Sequence, residues 1–350
     1  MNVRGNAYRR AVYRFDGDEM NVHIPQGVQA SAEVAILMRA SAKLVTPQSN
    51  GPVAGIVQDG LVASYLATNT WSEGPVETLV RKTVFMDCVT GANISIQRYN
   101  NLIKRAQKWY PEFISEDLKV ADEVPGKLMF SIVFPANLCY SRTTHTSDKF
   151  PEVKIEAGVL LPDSGPICKK VIGAKRGSLI QHLWKEYSPE VTIQFLSEVQ
   201  FLTDYWLPHH GFSMGISDCI STSDDDVVKA IAETQIRVQK LMGTDTEDLE
   251  PEINGLLNEM GNIGPKIAQK SMNKGEKNAL NVMRTSGAKG NIANLSAIVA
   301  FVGQQNINGQ RAPLTLSGGT RALSRFEPGD QSPEARGMVY SNYIHGLNPG

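Results

Sequence analysis

The sequence predicts an α+β fold, with a first half that mixes short strands and helices and a second half built mainly from long helices. Three observations carry this. Residues 127–135 (KLMFSIVFP), 153–161 (VKIEAGVLL) and 169–175 are short runs bounded by turn residues, the pattern of strands. From residue 189 onward, apolar residues recur at helical spacing over 189–207, 224–242, 248–260 and 265–283, with polar loops between. No strands alternate with those helices, which argues against a doubly wound parallel sheet. At 350 residues the chain has room for two or three domains, and a boundary is expected near residues 177–189.

Bulk composition narrows the class. A hydrophobic share of 41% is enough for a sizeable core and unlike a disordered chain. A formal net charge of -1 argues weakly against a free-standing nucleic-acid binder, although a basic groove balanced by acidic surface would give the same figure. Cys88, Cys139, Cys168 and Cys219 are widely spaced, with neither a zinc signature nor a compact disulfide framework, so reduced intracellular thiols are expected. Residues 1–14 have no apolar run of the secretory kind, and nowhere do about 18 apolar residues run together as a membrane helix requires. A soluble intracellular protein with no membrane partner is the expectation.

Taken in order, residues 1–14 (MNVRGNAYRRAVYR) are basic and show no clear period. Residues 15–25 alternate like a strand around an acidic turn. Asp16 and Asp18, two positions apart, would share one face of a strand, or converge through a tight turn at Gly17. Either way two hard oxygen donors meet, which suits magnesium; a solvated acidic turn is the plainer reading of an isolated Asp-Gly-Asp. Helical spacing follows over 28–45, 55–67, 75–88 and 96–110, with a Pro- and Gly-punctuated loop at 46–52. After the strands, a helix is expected over 178–187. Residues 332–347 open with Ser332 and Pro333, as a helix start does.

Several stretches together resemble one family. Phe15-Asp16-Gly17-Asp18 with the run to Gln26 resembles the metal-binding loop of the largest subunit of multisubunit DNA-dependent RNA polymerases, of the eukaryotic, archaeal and large-DNA-virus type. In the same order come Pro47-Gln48-Ser49-Asn50, Gly55-Ile56-Val57-Gln58-Asp59, His210-Gly211-Phe212-Ser213-Met214-Gly215-Ile216-Ser217-Asp218, Ser286-Gly287-Ala288-Lys289-Gly290, Val302-Gly303-Gln304-Gln305 and Ser332-Pro333-Glu334-Ala335-Arg336-Gly337. The resemblance covers a central fragment of that subunit. It implies a non-matching stretch at 1–14, the end of the active-site barrel with its metal loop at 15–27, a mixed α/β pore domain at 28–185, a mainly helical funnel domain at 186–331, and the lead-in and start of the bridge helix at 332–350. One departure stands out: Arg14 occupies the place of the first of the family's three alternating aspartates, and Val12 that of its asparagine.

The chemistry implied is template-directed RNA synthesis by a DNA-directed RNA polymerase, a magnesium-dependent nucleotidyltransferase. Its partners would be the second-largest subunit, the rest of the largest subunit, the small subunits, the DNA template, the RNA transcript and nucleoside triphosphates. Asp16 and Asp18 would be the catalytic metal ligands. Arg14 weakens that set, because a guanidinium has a fixed positive charge and no lone pair. Lys289 would carry one positive charge on a flexible loop near the nucleotide's route, or simply be solvated. Gln304 and Gln305 would face the funnel, with backbone hydrogen bonding as their default role, and Arg311 either lines the same channel or makes a surface ion pair. His209 and His210 diverge on a helix and have no partner at ligand spacing, so a structural role is expected. The isolated chain should be inactive. The alternative is a non-catalytic, polymerase-derived scaffold or split-subunit piece with an impaired metal site. A stand-alone transferase with an Asp-x-Asp site is disfavoured by the helical second half. Nucleus, cytoplasm and viral factory all suit such a chain.

Overall fold

The computed structural model describes residues 19, 21–70, 78–144, 152–221, 223–243, 249–272 and 278–348. The chain divides into two compact units, Met1–Phe212 with Thr285–Ala288, and Ser213–Arg284 with Lys289–Gly350. Both mix helices with short antiparallel strands, so the α+β expectation holds. Residues 19 and 21–26 carry no regular element, and residues 15–18 and 20 of the expected acidic strand, Asp16 and Asp18 included, lie outside the described residues.

In the first unit, helix α1 (Val28–Ile36) buries no side chain and leads to a hairpin of β1 (Val45–Thr46) and β2 (Gly51–Pro52). Helix α2 (Gln58–Thr68) is the opposite case, buried at every position from Gly60 to Thr68. A helix apolar all round belongs inside, and its hydroxyls then turn to their own backbone: Ser64 Oγ donates to Gly60 O, and Thr68 Oγ1 to Ser64 O, both at 2.6 Å. Strand β3 (Leu79–Arg81) is followed by helices α3 (Lys82–Gly91) and α4 (Ile96–Ala106), and pairs antiparallel with β4 (Glu123–Pro125). Helix α4 starts at Ser95, whose Oγ accepts from Arg98 N at 3.3 Å, and buries Tyr99, Leu102, Ile103 and Ala106 along one face.

Three expected strands turn out differently. Residues 127–135 form helix α5 (Gly126–Phe130) and a 3-10 turn (Ser131–Val133), buried throughout. A continuous apolar run has no period to separate strand from helix, and here close packing decides: a Cβ at Gly126 would lie 2.1 Å from Ala67 O of α2. Residues 153–161 are two strands, not one. Strands β5 (Tyr140–Thr143), β6 (Glu152–Glu156) and β7 (Val159–Leu160) make an antiparallel sheet in that order. Ala157 (φ 48) and Gly158 (φ 68) supply the left-handed pair of a two-residue hairpin turn. Residues 169–175 begin with a single helical turn, α6 (Lys169–Ile172), that buries Val171 and Ile172 and stops at Gly173.

Helix α7 (Leu179–Glu186) precedes α8 (Pro189–His210), which opens with Pro189 at its first turn and Ser188 Oγ accepting from Val191 N at 3.2 Å. Phe195, Val199, Leu202 and Trp206 of α8 are buried, α2, α3 and α7 pack against it, and Phe134 stacks on Phe195 with ring centroids 6.0 Å apart. Helix α8 is therefore a core element of the first unit, and the division falls after Phe212 rather than near residues 177–189.

The second unit begins its helices with α9 (Asp224–Met242), whose first turn holds Asp224, Asp225 and Asp226 where the helix dipole favours carboxylates. Helix α10 (Leu249–Met272) runs unbroken through Pro265, where the sequence suggests two helices. Pro265 removes one ladder hydrogen bond, but Ile253, Leu257 and Met260 before it and Ala268 after it are all buried, so packing holds the helix across the gap. Helices α9 and α12 (Ile292–Val299) pack on α10, and α11 (Ala279–Ser286) is joined to α12 by a short loop. Short strands follow: β8 (Gly303–Gln304), β9 (Asn306–Ile307), β10 (Gln310–Arg311) and β11 (Met338–Val339), with β9 pairing β10 and β8 pairing β11. Residues 332–347 do not continue as a helix. Ser332 Oγ accepts from Ala335 N at 3.3 Å for one turn, then Gly337 (φ 98) turns the chain into β11.

Candidate functional site

Within the second unit, Gln304, Gln305 and Arg311 are drawn together around the turn that precedes β11. Register places Met338 opposite Gln304, and Gln305 N donates to Gly337 O at 2.8 Å. The Gln304 side chain stays with the backbone: Nε2 donates to Gln305 O and to Arg336 O, both at 2.9 Å, and Oε1 is buried without a partner among the described residues. Gln305 is exposed, its Nε2 donates to Gly303 O at 3.3 Å, and it lines a cavity of about 500 Å³ with Ile307, Leu323, Phe326, Glu334 and Tyr340. Burial, and then the Glu334 charge, push the Tyr340 phenol up to about 12, so it stays a neutral hydroxyl in that cavity.

Arg311 is buried and paired rather than free at the surface. It is 2% exposed, and its guanidinium forks onto Glu250, Nε to Oε2 at 3.0 Å and Nη2 to Oε1 at 2.5 Å, with Nη1 reaching Gln331 O at 3.4 Å. Arg336 joins the same carboxylate, Nη1 to Glu250 Oε1 at 3.2 Å, while its Nε donates to Ala312 O at 2.7 Å and Nη1 also reaches the Gln331 side chain. Hydrogen bonding from Arg311 is the main reason the Glu250 carboxyl sits below its ordinary range; partial burial opposes this, and the positive charges of Arg311 and Arg336 reinforce it. Nothing local in the sequence marks Glu250 or Arg336 as a partner of Arg311. Glu250 is far along the chain from Arg311, at the start of a different element, and only the charge inside the Ser332–Gly337 motif hinted at Arg336.

Lys289 lies in the loop between α11 and α12, which is held by its own turn chemistry. Ala288 N donates to Ser286 Oγ at 3.3 Å and Lys289 N to Met283 O at 3.3 Å. Asn291 caps α12 reciprocally with Asn294, each side-chain oxygen accepting from the other's backbone N at 2.9 Å. Gly287 (φ 80) and Gly290 (φ 77) take left-handed conformations, and within the first unit a Cβ on Gly287 would lie 2.6 Å from Lys169 Cβ. The loop therefore presents the exposed Lys289 on a constrained backbone. His209 and His210 end α8, where His210 stacks on Trp206 at 4.7 Å, consistent with a structural role. Asp16 and Asp18 lie outside the described residues, and among those described no three His, Cys, Asp or Glu side chains gather as a metal site.

Two family models of a polymerase large subunit match this α+β chain, one after the other. RNA polymerase Rpb1, domain 3, matches residues 43–219, and RNA polymerase Rpb1, domain 4, matches residues 230–339. The chain belongs to the Rpb1 family, the largest subunit of DNA-directed RNA polymerase. It is 31% identical over 357 aligned residues to the DNA-directed RNA polymerase II subunits RPB1-A and RPB1-B of Trypanosoma brucei brucei, an alignment covering 96% of this chain. The chain spans 18% of the length of these relatives.

Proposed function

We propose that this chain supplies the pore and funnel portion of the largest subunit of a DNA-directed RNA polymerase, through which nucleoside triphosphates reach the site of template-directed RNA synthesis. One observation carries the reading: two consecutive Rpb1 domain matches, residues 43–219 and 230–339, fall one after the other along the two compact units. The first unit corresponds to the pore, residues 28–185 with α8 added, and the second to the funnel and the lead-in at 332–350. Lys289 meets the triphosphate as a point charge. Gln304 and Gln305 shape the funnel wall, and Arg311 acts from behind them through Glu250 and Arg336.

Magnesium is the ion this family's chemistry uses, and Asp16 and Asp18 are the chain's carboxylates for it. With Arg14 beside them they fall short of a complete donor set, so the ion's remaining ligands would have to come from elsewhere in the assembled enzyme. The second-largest subunit, the small subunits, DNA and RNA are the partners this role requires, and the chain alone is inactive. Arg14 favours a second reading, a non-catalytic scaffold: if Arg14→Asp restores magnesium affinity, the site is disabled at that position only, and no gain favours the scaffold.

The test uses the complete subunit assembled with its partners. Lys289→Ala should raise the apparent KM for nucleoside triphosphates roughly tenfold, the worth of one charge-assisted contact, and Lys289→Arg should recover part of it. Unchanged KM and kcat in Lys289→Ala would remove Lys289 from the nucleotide's route.

A further inference from the structure

In the first unit, the polar side of α4 opens on a pocket of about 300 Å³ that no part of the proposed role uses. Gln97, Asn101 and Arg105 stand at successive four-residue intervals, forming one ridge of the helix, Arg98 lies beside them, and Phe134 and Ala136 form an apolar part of the wall.

The charges in this pocket do not balance. Arg98 has its counter-charge in Glu198, Nη1 to Oε1 at 2.6 Å and Nη2 to Oε2 at 2.8 Å. Glu198 is 6% exposed and also accepts from Gln194 Nε2 at 2.8 Å, so its charge is already matched by Arg98 and most of its lone pairs are taken. Arg105 is half-buried and pairs with no carboxylate among the described residues. Its Nε donates to Ala157 O at 3.1 Å, which fixes the guanidinium plane and leaves both terminal NH₂ groups available. Lost hydration, and then the positive charge of Arg98, lower its pKa, the mark of a cation lacking its counter-charge. Lys104 and Lys108 are exposed nearby on the chain and add to the positive potential.

We propose that this pocket binds an oxyanion, a phosphate or carboxylate group, gripped by the two terminal nitrogens of Arg105 with the side-chain amides of Gln97 and Asn101 as further donors. The planar fork of a guanidinium matches two oxygens of either group, and an immobilised fork loses little entropy on binding. The pocket is larger than either group alone, leaving room for the molecule that bears it, with Phe134 and Ala136 as its apolar neighbour.

The test is calorimetric titration of the full 350-residue chain with inorganic phosphate and, in parallel, with acetate, chloride being used to hold the ionic strength constant. Saturable binding of one anion per chain is expected, weakened roughly tenfold or more by Arg105→Gln, to an intermediate degree by Arg105→Lys, and far less by Lys104→Gln, whose exposed charge is screened. Preference for phosphate or for acetate identifies which group the pocket takes. If Arg105→Gln does not fold, Asn101→Leu, which replaces an amide donor by an apolar group and leaves Arg105 in place, should weaken binding several-fold. No saturable binding of either anion, or binding that neither Arg105→Gln nor Asn101→Leu weakens, overturns the proposal.

Discussion

Arg311, 2% exposed, forks onto both oxygens of Glu250, a residue 61 positions earlier in the chain, and the same carboxylate accepts from Arg336. One side chain of α10 thereby ties β10 to the turn before β11, and that turn hydrogen-bonds Gln304 and Gln305. Glu250 is itself about half exposed, so the pair is asymmetric: the cation is buried and the anion is wet.

Removing the wet partner should therefore cost more than removing the buried one. Glu250→Ala strands Arg311 without a counter-charge and should destabilise the second unit by about 1–3 kcal/mol, a range already discounted for the solvent that screens Glu250. Arg311→Met leaves Glu250 free to hydrate and should cost less. Tryptophans occur only at 71, 109, 184 and 206, so fluorescence does not report on this unit. Amide exchange over residues 303–312 and 331–339 does, and equal exchange in both variants would contradict the asymmetry.

The same pair sets a pH dependence. The Glu250 carboxyl lies below its ordinary 4.5 in the folded chain, so its contribution is fully present above that value and is lost as pH falls through the lower folded value. Exchange protection of residues 303–312 should fall with acidification below about 4.5. Arg311→Met, which removes the main cause of the shift, should flatten the dependence in that window.

What could be read in the sequence was what short spacing encodes. Helix α9 spans residues 224–242 as its period indicates, because an amphipathic stripe with an acidic first turn is local information. The turn chemistry around Lys289 was likewise visible as small residues beside a lysine. Residues 127–135 fold as a helix rather than the expected strand because they pack on α2, which admits no Cβ at Gly126. The role of Arg311 was open for the same reason: its partner is on another element, at a separation no motif spans.

Gly287 should be far less tolerant of substitution than Gly290. Both have positive φ, at 80° and 77°, but a Cβ at Gly290 meets nothing within 4 Å, whereas one at Gly287 meets Lys169 at 2.6 Å. Gly290→Ala should cost about 1 kcal/mol from backbone strain alone, and Gly287→Ala about 2–3 kcal/mol. Urea unfolding followed by tryptophan fluorescence reads Gly287 in the first unit, and exchange near residue 290 reads its neighbour. Matching losses would mean that Lys169 yields without cost.

In the first unit the buried and exposed roles are reversed. Glu198 of α8 is 6% exposed, while the side chain of Arg98 is 30% exposed. Here loss of the cation is the more damaging change. Arg98→Ala abandons a carboxylate in the core with only Gln194 Nε2 as donor, and should cost about 2–4 kcal/mol. Glu198→Gln keeps the volume and a hydrogen-bonding oxygen, and leaves Arg98 close enough to water to hydrate, so about 1 kcal/mol is expected. Trp206 lies two turns along α8 from Glu198, so fluorescence-detected urea unfolding reports on the right helix. The ordering, Arg98→Ala worse than Glu198→Gln here but Glu250→Ala worse than Arg311→Met in the other unit, follows from which charge is left stranded away from water. Equal costs within either pair would show that this rule does not govern it.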